Sequence, residues 1–186
     1  MKAVYVMFLA CAGLLATVSP ARADFVATAT LTPGADGATG SKGSGMATVD
    51  WLSASSTFTY TLSWANLTGS ATMAHIHYGA VGVSGPVVIP FFMSPMPATD
   101  TISGTLTSAD FVADPSSGIN TIADMATAIM NGNGYVNIHT AQYPAGELRG
   151  QLAVSSTATP EPATTGLMLT ALAAGAVMFF RRRRAA

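Results

Sequence analysis

The chain has 186 residues, of which 49% are hydrophobic and only 9% charged, with a formal net charge of −1 at neutral pH. Most basic residues lie at the two ends, so that between Asp24 and Thr159 only Lys42 and Arg149 stand against eight carboxylates, a balance of −6. A middle this acidic lacks the clustered Lys and Arg that displace counterions from phosphates, which excludes nucleic acid as a partner and a polybasic membrane patch on the folded part. Its length of about 136 residues suits a single domain.

The first 23 residues read as a secretory signal peptide. Met1 and Lys2 form a positive start, Ala3 to Thr17 an apolar stretch too short to span a bilayer comfortably, and Ala21-Arg22-Ala23 the small-x-small pattern that signal peptidase cuts after. Cys11, the one cysteine, falls inside this segment. The exported domain, residues 24–154, is therefore expected to hold together by core packing without disulfides.

The domain reads as β-structure. Strands are expected at Phe25 to Leu31, Gly45 to Trp51, Thr57 to Trp64, Ala74 to Tyr78, Val87 to Phe92, Thr101 to Leu106, Gly134 to Thr140 and Glu147 to Val154. The third alternates hydroxyl and large apolar side chains, which puts Phe58, Tyr60, Leu62 and Trp64 on one core-facing side. The segment from Pro33 to Ser44, rich in Gly and Ser, reads as a hairpin loop, and Ile119 to Met130 carries helical spacing that ends at Asn131-Gly132. Eight short strands at this spacing predict an all-β fold: an antiparallel β-sandwich, immunoglobulin-like or superoxide-dismutase-like, with one short helix.

All three histidines fall in two of these strands. His75 and His77 flank Ile76, so their side chains share a face with α carbons roughly 6 to 7 Å apart. Asn137 and His139 share a face of the strand from Gly134, and Glu147, Arg149 and Gln151 are expected on one face of the next. Two readings stand. In one, the histidines join Asn137, Glu147 and Arg149 in a structural polar network, with Glu147 and Arg149 as a local ion pair. In the other, His75, His77 and His139 ligate copper or zinc and leave a fourth position open. Met93 and Met96, among Pro90, Pro95 and Pro97, lie in a loop that core packing does not account for. No calcium loop, Ser-His-Asp order, phosphate loop or paired-carboxylate motif is present, and no enzymatic activity is expected. A third reading, carbohydrate binding, needs exposed aromatic rings, whereas the periodicity puts Trp51 and Trp64 in the core.

The segments "HIHYGAVGVSGPVV", "YVNIHT" and "GELRGQL", in that order, resemble the CHRD domain, a module named from chordin and widespread in secreted bacterial proteins. The resemblance spans about Phe25 to Val154 and implies a secreted β-sandwich with no catalytic activity to carry over. Chordin's role in growth-factor signalling does not transfer to a bacterial surface protein. A His-x-His on a β-sandwich is also similar to one element of copper-zinc superoxide dismutase, whose further ligand histidine, bridging histidine and disulfide cysteines this chain lacks.

A linker at residues 155–159 leads to Pro160-Glu161-Pro162, an apolar run at 163–180, and Arg181, Arg182, Arg183 and Arg184. Eighteen apolar or small residues just reach the length of a membrane-spanning helix, and the arginines would stop on the cytoplasmic side. Residues 160–186 resemble the PEP-CTERM sorting signal of Gram-negative bacteria. That resemblance implies recognition by an exosortase in the inner membrane, cleavage near Pro160-Glu161-Pro162, and delivery to the cell surface or an exopolysaccharide matrix. The sequence thus predicts a surface-sorted, non-enzymatic structural or binding component, with a histidine-ligated copper or zinc protein as the alternative.

Overall fold

The computed structural model describes residues 24–34, 38 and 40–157. The expected signal peptide, the sorting segment with its helix at 163–180, and the last two residues of the expected linker lie outside the described residues. Among the described residues, no helix is long and apolar enough to cross a membrane.

Nine strands form two antiparallel sheets among these residues. β1 (Phe25–Leu31), β2 (Ser44–Leu52), β3 (Thr57–Ala65), β6 (Asp100–Leu106) and β9 (Ala153–Thr157) make one sheet in the order β6-β3-β2-β1-β9. β4 (Ala71–Tyr78), β5 (Val87–Phe92), β7 (Gly134–Thr140) and β8 (Leu148–Gln151) make the other, ordered β5-β4-β7-β8. This is the expected all-β sandwich, with one α-helix among the described residues, α1 (Ile122–Met130).

Alternation builds the core. Phe58, Leu62 and Trp64 of β3 are buried beside Ala47, Val49 and Trp51 of β2, while Ala74, Ile76, Val136, Ile138 and Leu148 supply the facing sheet. Phe58 lies opposite Trp51 in register, with ring centroids 4.7 Å apart, and meets Phe25 edge-on at 6.5 Å. Truncating a fully buried ring of this kind typically costs about 3–5 kcal/mol. Tyr60 stays partly buried and packs on Phe91. Trp51 and Trp64 are inside, so neither forms a sugar-stacking platform.

β4 begins at Ala71, three residues before the expected Ala74, and three further differences from the sequence expectation have a local reason. The single strand expected from Glu147 to Val154 is two strands in different sheets. Leu152, whose N–H donates to the Gly134 carbonyl, is the crossing point. β9 then continues to Thr157, opposite Phe25, and so takes up much of the stretch read as linker. Finally, α1 begins at Ile122 rather than Ile119. Thr121 caps it: the Thr121 hydroxyl accepts from the Asp124 N–H, and the Asp124 carboxylate accepts from the Thr121 N–H. The helix ends at Asn131, as its Gly-rich exit predicts, and Gly134 opens β7.

Candidate metal centre

β4 and β7 are neighbours, and their register brings the histidines together. His75 pairs with Asn137, His77 with Tyr135, and Met73 with His139, so that these side chains populate the face of the sheet turned away from the core. In a half-buried antiparallel sheet that face would meet water. Here it does not: His75, His77 and His139 are only 3%, 7% and 7% exposed, and every residue of β7 is buried.

Two loops make the covering layer. The loop after β4 places the Gly85 carbonyl 2.9 Å from Nδ1 of His77, and the loop after β7 places the Pro144 carbonyl 3.0 Å from Nδ1 of His139. A carbonyl can only accept, so both rings carry the proton on Nδ1, and their Nε2 atoms carry the lone pair in the neutral form. This is the arrangement in which an outer-shell acceptor orients a metal-ligating imidazole. His75 is held differently. Its Nε2 lies 3.2 Å from the Met93 sulfur, while its buried Nδ1 has no hydrogen-bond partner among the described residues.

The three histidines offer ligand atoms that all lie within 4.8 Å of one another, with ring centroids 5.1 to 6.3 Å apart. Donors around one tetrahedral ion with metal–nitrogen bonds near 2.0–2.1 Å stand roughly 3.3 Å apart. Small side-chain rotations would therefore close the set. Burial, reinforced by the neighbouring His139 and His77, lowers the His75 pKa to about 4, so this ring is neutral at physiological pH, the form a metal requires.

Around the cluster, Tyr135 anchors the wall. Its ring stacks on His77 at 4.7 Å and 11°, and the Arg149 guanidinium lies 3.6 Å from its centroid. The Tyr135 hydroxyl accepts from the Gly85 N–H at 3.0 Å, Arg149 donates to the Val83 carbonyl at 2.8 Å, and Gln151 donates to the Gly79 carbonyl at 3.0 Å. The loop covering His77 is thus tied down at its backbone. Asn137 does the same for the second loop by donating to the Ala145 carbonyl at 3.2 Å.

Glu147 departs from the expected polar network. β8 starts only at Leu148, after Gly146 at φ +134°, so period-2 extrapolation back to residue 147 fails. The carboxylate turns to Ser41, Thr68 and Thr140, accepting from the Thr140 hydroxyl at 2.6 Å, the Thr68 hydroxyl at 2.7 Å, the Ser41 hydroxyl at 2.6 Å and the Thr68 N–H at 2.9 Å. Burial raises the Glu147 pKa, but these hydrogen bonds outweigh it and leave the group below its ordinary range. Glu147 is a structural clamp on three segments rather than a companion of Arg149. Sequence reasoning also passed over Tyr135, although its two-residue spacing from Asn137 places it on the same face. The Gly85 and Pro144 carbonyls carry no sequence signal at all.

The family model for the CHRD domain matches residues 27–152, well over half of the chain and all three histidines. No curated protein and no solved structure matches.

Proposed function

The chain belongs to the CHRD domain family, and on that premise we propose that it is a non-enzymatic binding protein of the bacterial cell exterior whose binding site is a transition-metal centre formed by His75, His77 and His139. One observation carries this reading: three buried imidazoles from adjacent strands converge within 4.8 Å, two of them oriented through Nδ1 by backbone carbonyls. Copper and zinc both suit imidazole donors.

The cellular setting rests on the chain ends. The signal-peptide pattern at 1–23 supports export through signal peptidase, and the Pro160-Glu161-Pro162, apolar and arginine sequence supports sorting by an exosortase, with the inner membrane as an intermediate station. The mature domain then acts at the cell surface or in the exopolysaccharide matrix. There the centre would bind its ion within the fold, because the three histidines are buried.

The test is elemental analysis and titration of the purified protein with copper and zinc, alongside His77→Ala and His139→Ala. The expected result is one ion per chain in the parent and a loss of at least about tenfold in affinity in each variant, with the metal-free variants still folded by circular dichroism. A folded parent that takes up neither ion would overturn the reading.

A further inference from the structure

Beyond the three histidines, we infer that Met93 supplies a fourth, thioether donor, and that the centre therefore takes copper in its cuprous state. The inference rests on the three-histidine reading and deepens it.

Met93 follows directly on β5, the edge strand paired with β4, and its sulfur lies 3.2 Å from Nε2 of His75. A thioether is a weak hydrogen-bond acceptor, so this contact is a poor resting place for a buried N–H. It is close to the separation of two donors that share one small cation. His75 is also the histidine with no backbone carbonyl on its ring in the described structure: one nitrogen faces sulfur and the other has no hydrogen-bond partner. Its tautomer is set by nothing else nearby, and a lone pair can be turned toward an ion beside the sulfur.

Charge favours a monovalent ion. Among the described residues the cluster contains histidine alone, with no carboxylate, and Glu147 is committed to Ser41, Thr68 and Thr140. The Arg149 guanidinium lies against the Tyr135 ring that stacks on His77. Each additional positive charge placed among neutral donors in this buried site increases the electrostatic cost. A soft thioether beside imidazoles selects the cuprous ion over harder divalent ones. Access fits as well. Met93 is 64% exposed while the histidines are buried, so its side chain links the buried donors to the surface.

The experiment compares the parent with Met93→Leu, a change at an exposed side chain that preserves apolar bulk. Cuprous ion is titrated anaerobically against a chromophoric chelator, zinc is titrated separately, and X-ray absorption is recorded on the copper-loaded protein. The expected result is one cuprous ion per chain, a sulfur scatterer that Met93→Leu removes, and cuprous affinity at least about tenfold lower in that variant with zinc affinity nearly unchanged. Cuprous affinity equal in the two proteins, or no sulfur at the metal, would overturn the role of Met93 while leaving a three-histidine centre intact. Failure of the folded parent to bind either metal would overturn both.

Discussion

The imidazole of His77 and the phenol ring of Tyr135 lie parallel, 11° apart in plane and 4.7 Å between centroids, across the β4–β7 register. This pair joins the candidate ligands to the loop that covers them, because the Tyr135 hydroxyl also holds the Gly85 N–H and Gly85 in turn holds Nδ1 of His77. Tyr135→Phe keeps the stack and removes only the hydroxyl. The protein should lose about 1–2 kcal/mol, measured by urea unfolding, with metal affinity lowered but not abolished. Unchanged stability and affinity would show that the hydroxyl does not hold the loop.

Acid should weaken the metal-free fold in a defined window. The His75 pKa falls from 6.5 to about 4 on folding, so between those values the unfolded chain binds more protons than the native one. Stability is therefore level above pH 6.5, declines as pH falls toward 4, and from this group loses up to about 3 kcal/mol. Replacing His75 with Asn should flatten that part of the profile. A profile that stays equally steep would assign the acid sensitivity to other groups.

From the acid end of that window downward Glu147 adds to the effect. Its folded pKa lies under the ordinary 4.5, so the stability it contributes is present above 4.5 and is lost as pH falls through the folded value. At neutral pH, Glu147→Ala should destabilise the domain by about 2–4 kcal/mol, because it strands the Thr68 N–H and three hydroxyls that now share the carboxylate. Thermal unfolding at pH 7 checks it, and a change under about 0.5 kcal/mol would refute the clamp.

Gly146 is required at its position. It sits at φ +134°, and a Cβ there would overlap the Asn137 amide. Gly146→Ala should cost about 2 kcal/mol or more in chemical denaturation, and it should disturb the loop that carries the Pro144 carbonyl to His139. A near-neutral result would mean that the loop has room to relax.

Much of the fold was legible because its strands obey local rules. The Thr57 to Trp64 alternation identified β3 and its buried face, and the Gly-rich exit located the end of α1. The same reasoning failed at Glu147 and at the β8 to β9 crossing. There the chain leaves regular geometry, and neither Gly146 nor Leu152 announces which sheet follows.

By itself the sequence determined the sandwich, because two-residue periodicity reports which side of a strand is apolar, and it put His75 with His77 and Asn137 with His139 on shared faces. Only the tertiary structure decided that these faces meet and are buried. Convergence depends on β4 and β7 being neighbours in a particular register, and burial depends on loops 79–86 and 141–147 folding back over the sheet. Neither pairing nor loop direction is encoded in local periodicity. The approach of Met93 to His75 likewise follows from β5 lying beside β4, a long-range placement set by the packing of the whole sheet.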